Sequence, residues 1–161
     1  MAARGFLAPI HGNLLHHAVE MFLKYGLLDV VSREQMRSRQ YGHNLDWLWE
    51  RFKEKEGDPA LVRFDATVHA LHEFEELRYP DKIPNRAIMM AITWLRDDTV
   101  TSSGETKAKQ YEVVIADVDR LIIEILKRVG LNPKFFVQHR VSPSGRDALR
   151  YQNPHAADWL S

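Results

Sequence analysis

The chain has 161 residues, which is the usual size of one domain and enough to enclose a hydrophobic core. Its 22 basic and 22 acidic residues give a formal net charge of zero, which argues against a protein that coats nucleic acid, because phosphate binding favours a basic excess. The chain contains no cysteine, so disulfides, thiolate metal sites and cysteine nucleophiles are excluded.

The sequence gives no sign of a targeting or membrane segment. The N-terminal stretch MAARGFLAP lacks the apolar core of a signal peptide. No apolar run approaches the roughly 20 residues that a membrane helix needs. We therefore expect a cytoplasmic protein with no membrane partner.

The first two predicted helices are amphipathic. Residues 13–28 have an apolar stripe with helical period, and residues 45–56 have a second one. Asn44 is predicted as the N-cap of the second helix and Gly57 as its end. The first stripe consists of Leu15, Ala18, Val19, Phe22 and Gly26, widened by Leu14, Met21 and Tyr25. The second consists of Leu45, Leu48, Trp49 and Phe52.

Two further long helices are predicted after Gly57. Asp58 and Pro59 start one that runs to about Leu77, because proline is tolerated in a first helical turn. The next ends at Gly130, and caps followed by proline recur at Asn132 and Asn153. The two stripes are Leu61, Phe64, Val68, Leu71 and Phe74, then Val114, Val118, Leu121, Ile122, Ile125, Leu126 and Val129.

The segment between these two helices has the period of a β-strand. Its apolar residues alternate over AIMMAITW, and a polar, glycine-containing stretch follows. A return strand from Glu105 to Tyr111 would complete a β-hairpin, so we predict a short hairpin insertion near 86–111 that packs on the helices or at a dimer contact. We divide the chain into a helical bundle over 1–133, including this hairpin, and a C-terminal helical extension over 134–161 that packs on the same domain.

Three short motifs occur in an order typical of one protein family. Ala18, Glu20 and Lys24 lie in the first helix, "GHNL" spans 42–45, and "RYPD" spans 78–81. Over roughly residues 10–130 the chain resembles the HEPN superfamily, the higher-eukaryote and prokaryote nucleotide-binding domains. The resemblance implies a mainly α fold, an antiparallel bundle of four or five helices that is frequently homodimeric. It also implies nucleotide or RNA ligands and a companion nucleotidyltransferase as partners.

The resemblance leaves two functions open. Many HEPN proteins are metal-independent endoribonucleases of the toxin or defence type, with an arginine and a histidine four to six residues apart on a late helix. The late helix of this chain, DVDRLIIEILKRVG, has no histidine. This absence favours a non-catalytic binding module over an enzyme. The catalytic alternative rests on two displaced pairs, Arg37 with His43 and Arg150 with His155.

The remaining candidates each have a structural explanation beside the functional one. Arg78, Tyr79 and Asp81 are candidate ligand-binding residues because arginine suits phosphate, yet the same turn is explained as a helix stop at Pro80. His43 is a candidate general base, or it docks the helix that follows it. His69, His72 and Glu73 have a spacing that suits a metal, but we assign them to the boundary of the core. No metal and no cofactor is expected.

Overall fold

A computed structural model of the chain describes residues 8–38, 41–78, 88–93 and 109–152. Within them the predicted mainly helical fold is confirmed. The α-helices are α1 (Ala8–Gly26), α2 (Arg33–Arg37), α3 (Leu45–Glu56), α4 (Asp65–Phe74), α5 (Ile115–Arg128), α6 (Pro133–Arg140) and α7 (Pro143–Gln152). Two 3₁₀ helices, Pro59–Phe64 and Glu75–Arg78, flank α4, and the strands are β1 (Ile88–Thr93) and β2 (Lys109–Val114).

The predicted ends of α3 are confirmed. The Asn44 side chain accepts a hydrogen bond of 2.9 Å from the Trp47 amide, which satisfies one free N–H of the first turn. Gly57 ends the helix with a φ of 64°, a left-handed conformation that glycine adopts without steric cost. The predicted apolar stripe of α3 is buried.

The helix predicted from Pro59 to about Leu77 is divided into three segments, the first 3₁₀ helix, α4 and the second 3₁₀ helix. The Asp58 side chain accepts from the Ala60 amide at 2.9 Å and caps the first of them. The predicted apolar stripe of this region is nevertheless buried throughout, because its residues still face the core.

The C-terminal elements begin at the predicted cap. Asn132 accepts a hydrogen bond of 3.0 Å from the Lys134 amide, and Pro133 occupies the first turn of α6. α6 contacts α5, and its Val137 is buried. The predicted cap at Asn153 and Pro154 lies outside the described residues. The division of the chain at 133/134 stays a prediction.

The core forms around α1, which contacts α3, α4 and α5. The prediction that three further residues widen the apolar stripe of α1 is wrong. Leu14, Met21 and Tyr25 are exposed, whereas His16 and Glu20 are buried in the face that packs on the core. The reason is that both polar side chains find partners on other elements, which hydropathy alone does not reveal. The largest fully buried apolar side chains of the core include Leu23, Leu27, Leu45, Leu48, Trp49, Phe52, Leu61, Leu71, Phe74, Leu121 and Ile125.

The predicted β-hairpin is also wrong, because β1 and β2 are parallel. Their register runs from Ile88 opposite Lys109 to Thr93 opposite Val114. Hairpin turns are short, whereas parallel strands require a connection of about a dozen residues or more, and residues 94–108 provide that length. The predicted packing on the helices is confirmed, since the buried Tyr111 ring lies edge-on to Phe74 with centroids 6.0 Å apart.

None of the helices in the described ranges combines the length and the apolar character that a membrane span requires.

Candidate functional site

Four polar side chains from three parts of the chain meet beside α1. His16 and Glu20 lie one turn apart on α1, where residues four apart share a face. His43 directly precedes the N-cap of α3, and Glu75 begins the 3₁₀ helix after α4. We call this set, His16, Glu20, His43 and Glu75, the α1 cluster.

Glu20 is the centre of the cluster and is only 2% exposed. Its Oε1 accepts from Lys24 Nζ at 2.6 Å, and its Oε2 lies 2.9 Å from His43 Nδ1. The Nδ1 atom of the exposed His17 is 3.7 Å from the same Oε2. Burial alone would raise the pKa of Glu20, but the hydrogen bonds from Lys24 and His43 outweigh it and hold the pKa below its usual value. Glu20 is therefore a buried carboxylate that is charged at neutral pH.

His16 is almost fully buried and its two ring nitrogens have different surroundings. Nδ1 lies 3.0 Å from the carbonyl oxygen of Leu71 and donates to it. Nε2 lies 3.1 Å from Glu75 Oε2 and 3.8 Å from Glu20 Oε2. The contact to Glu75 lacks hydrogen-bond geometry, so Nε2 has no hydrogen-bond partner among the described residues.

The protonation of His16 follows from this environment. Burial lowers its pKa, and this effect outweighs the hydrogen bond to Leu71 and the nearby carboxylates, which raise it. The neutral imidazole is thus favoured at neutral pH. Because Nδ1 carries the proton that is donated to Leu71, the neutral ring has its lone pair at Nε2, which lies within 4 Å of two carboxylate oxygens.

The cluster forms the floor of an open cleft of about 410 Å³. Ile10 and Leu14 form an apolar wall, and Asn13 and His17 complete the polar part of the lining. A small ligand entering this cleft would meet two carboxylates and three imidazoles. These groups suit a cation or a metal-bound ligand, whereas a phosphate would be repelled by the carboxylates.

The cluster contains the one group of three His, Asp or Glu residues in the described part of the chain whose donor atoms are close enough to share a metal ion. His16, Glu20 and His43 each offer a donor atom, and these atoms all lie within 4.8 Å of one another. His69 and His72 are not in such a group. His69 Nδ1 lies 3.0 Å from Asp46 Oδ2, and His72 Nε2 lies 3.9 Å from the same oxygen.

The structure describes only some of the predicted site residues. His43 belongs to the α1 cluster, while Arg37 is exposed at the end of α2 and makes no hydrogen bond or ion pair to His43 in the described ranges. Arg78 ends the second 3₁₀ helix and Arg150 lies in α7, but their side chains are not described. Tyr79, Asp81 and His155 lie outside the described residues.

Sequence reasoning did not identify His16, Glu20 and Glu75 as a site. A signal was nevertheless available for one of them. Glu20, Lys24 and His43 all belong to the short motifs found in the sequence, and in the structure Glu20 contacts both Lys24 and His43. No comparable signal marks His16 or Glu75.

Comparison of the chain with protein-family models, with curated proteins and with solved structures found no match.

Proposed function

We propose that this protein is a helical binding module that acts as a homodimer, with the two copies meeting along the exposed apolar side of α1. The observation that carries the proposal is a row of five large apolar side chains, each between 46% and 62% exposed. They are Ile10, Leu14, Met21, Tyr25 and Leu28, which we call the α1 stripe.

The α1 stripe lies on one side of the helix. Successive residues of an α-helix are about 100° apart, so Ile10, Leu14, Met21 and Tyr25 fall within an arc of about 60°, and Leu28 lies in the turn that follows α1. The opposite side of α1 carries Val19 and Leu23, which are fully buried in the core. A helix that is apolar on both sides is typically enclosed by protein on both sides. Something is therefore expected to cover the stripe.

A second copy of the chain is the occupant that we favour. A two-fold axis places the same patch on both partners, so an apolar stripe on one helix is complementary to itself. The formal net charge of zero means that no overall repulsion opposes association. The resemblance to HEPN domains, which are frequently homodimeric, supports the same choice. The prediction of a nucleotide, RNA or nucleotidyltransferase partner rests on the resemblance alone.

The mass of the protein in solution tests the dimer. Light scattering during gel filtration is expected to give twice the chain mass of 18.7 kDa for the wild type. Met21→Glu places a charge in the middle of the stripe and is expected to give the single chain mass. Val62→Glu is the matched control, because Val62 is equally exposed but lies on the first 3₁₀ helix. A wild-type protein of single chain mass at micromolar concentration would refute the dimer.

One observation favours the second candidate, a metal-independent endoribonuclease. His43 is half exposed, and the buried Glu20 fixes the orientation of its ring through Nδ1. A histidine oriented by a buried carboxylate is a common arrangement for a general acid or base. In this mechanism His43 would be the general acid or base for the 2′-hydroxyl of the RNA, and Arg37 would contact the phosphate.

RNA cleavage by the purified protein in EDTA tests this second candidate. The wild type is compared with His43→Ala, Arg37→Ala and His155→Ala. Cleavage that is lost in His43→Ala and Arg37→Ala but retained in His155→Ala would establish the enzyme and its residues. The absence of cleavage across varied RNAs would leave the binding module.

A further inference from the structure

We propose that His16, Glu20 and His43 bind a divalent transition-metal ion of the zinc type. This inference goes beyond the proposed function and does not depend on it, because the cluster lies within one chain. The dimer test and the metal test use different substitutions and different measurements, so each can fail alone.

The spacing of the donor atoms supports a metal. Zinc binds histidine nitrogen and carboxylate oxygen at about 2.0–2.2 Å, so two donors of one tetrahedral ion are about 3.4 Å apart. Glu20 Oε2 lies 2.9 Å from His43 Nδ1 and 3.8 Å from His16 Nε2. Both separations are within about 0.5 Å of the tetrahedral value. One donor atom from each of the three residues lies within 4.8 Å of the other two.

The buried Nε2 atom of His16 provides the independent evidence. It has no hydrogen-bond partner among the described residues, and a polar atom buried without a partner is unfavourable. A bound cation would give this nitrogen a partner. One ion would thus satisfy both Nε2 of His16 and the neighbouring Oε2 of Glu20.

The surroundings of the donors resemble those of known metal ligands. Metal-binding histidines usually donate their other N–H to a carbonyl or carboxylate, which fixes the ring, and His16 donates Nδ1–H to the Leu71 carbonyl. Lys24 bonds to Oε1 of Glu20, which leaves Oε2 directed at the two histidines. The orientation of the donors is therefore set by the fold before a metal arrives.

The donor types indicate which metals the cluster can bind, and its open side indicates that the site is accessible to ligands. Two imidazoles with carboxylate oxygens suit zinc, cobalt, nickel or copper, whereas magnesium and calcium prefer oxygen donors alone. The His43 side chain is 52% exposed and lines the cleft, which gives the ion a path of entry. A water or a ligand atom can then occupy a remaining coordination position, as in catalytic zinc sites.

Metal titration of the full chain tests the proposal. The protein is treated with EDTA, desalted and titrated with Zn²⁺ by calorimetry, and Co²⁺ is added separately to follow its visible absorption. The variants are His43→Ala and, as matched control, His69→Ala. Both histidines are exposed and both contact a carboxylate at about 3 Å, but His69 lies outside the cluster. Circular dichroism and thermal unfolding confirm that each variant is folded.

We expect one Zn²⁺ per chain and a tetrahedral Co²⁺ spectrum in the wild type and in His69→Ala. His43→Ala is expected to weaken Zn²⁺ binding by about tenfold or more, since even residues that only support metal ligands cause losses of this size. Zn²⁺ should also raise the thermal midpoint of the wild type more than that of folded His43→Ala. The absence of binding, or equal binding by His43→Ala and the wild type, would overturn the proposal.

Discussion

At Gly26, where α1 ends, three parts of the chain approach so closely that no side chain fits. A Cβ atom built at this position would lie 2.8 Å from Phe52 of α3 and 2.8 Å from Val129 after α5. Both distances are shorter than van der Waals contact, and Phe52 is fully buried. The absence of a side chain at residue 26 is therefore what permits α1, α3 and the end of α5 to meet.

We predict that Gly26→Ala destabilises the protein by about 1–3 kcal/mol, the usual cost of overpacking a core. Alanine gains up to about 1 kcal/mol of helix propensity over glycine, but the clash exceeds this gain. Urea unfolding followed by circular dichroism measures the difference. Val129→Ala removes one of the clashing groups, so the double variant should be more stable than the two separate losses predict. A Gly26→Ala protein as stable as the wild type would contradict the packing argument.

The burial of single polar residues was the least predictable feature from sequence. Hydropathy periodicity assigns Leu14 and Met21 to the core side of α1, whereas the structure exposes both and buries His16 and Glu20. Glu20 is buried because Lys24 and His43 neutralise it, and His43 is 23 residues away. Such compensation depends on the tertiary structure, so no local pattern reveals it.

At the scale of elements, the ends of helices were predictable because the signals are local. Asn44, Gly57 and Asn132 act through hydrogen bonds or backbone angles within three residues of the helix end. Whether the two strands pair in parallel or antiparallel was not predictable, since the pairing depends on how distant segments of the chain meet. The length of the segment between the strands was the available signal, and it is too long for a tight hairpin.

Asp58 joins two elements and should make stability depend on pH. Its side chain accepts from the Ala60 amide and from Arg128 at the end of α5. The Arg128 hydrogen bond, followed by that of Ala60, lowers the pKa of Asp58 below its usual value. The unfolded chain therefore binds a proton more readily than the folded protein does. The resulting stabilisation is complete above the unfolded pKa and is lost as the pH falls through the folded pKa.

Asp58→Asn is predicted to reduce this dependence, since asparagine can cap a helix but does not titrate. We expect the free energy of unfolding in urea to fall less between about pH 6 and about pH 3 in the variant than in the wild type. Glu54→Gln, which removes a carboxylate from an exposed pair with Arg51, is the control and should follow the wild type. Parallel pH profiles for Asp58→Asn and the wild type would refute the assignment.

For the molecule as a whole, the question is whether the sheet and the helices form one cooperative unit. Tyr111 of β2 is buried, contacts Phe74 of α4 and belongs to the same hydrophobic core as the helices. β2 also continues directly into α5, which contacts α1. These connections predict that the sheet does not unfold separately.

Tyr111→Ala should therefore destabilise the entire protein, by about 3 kcal/mol, as loss of a buried aromatic ring does elsewhere. Tryptophan fluorescence, to which Trp47 and Trp49 of α3 contribute together with Trp94 and Trp159, and far-ultraviolet circular dichroism should show one coincident transition at a lower midpoint. Glu112→Ala changes the exposed neighbour of Tyr111 and should have little effect. Separate transitions for the two signals would contradict a single cooperative unit.

The position of His43 in the chain couples the cleft to the core. Its ring contacts Glu20 on α1, the next residue is the cap of α3, and Leu45 beyond it is fully buried. A ligand that immobilised His43 would consequently also favour the first turn of α3. Thermodynamic linkage would make this effect reciprocal, so a variant that loosened the cap at Asn44 would weaken the binding of such a ligand by the same free energy.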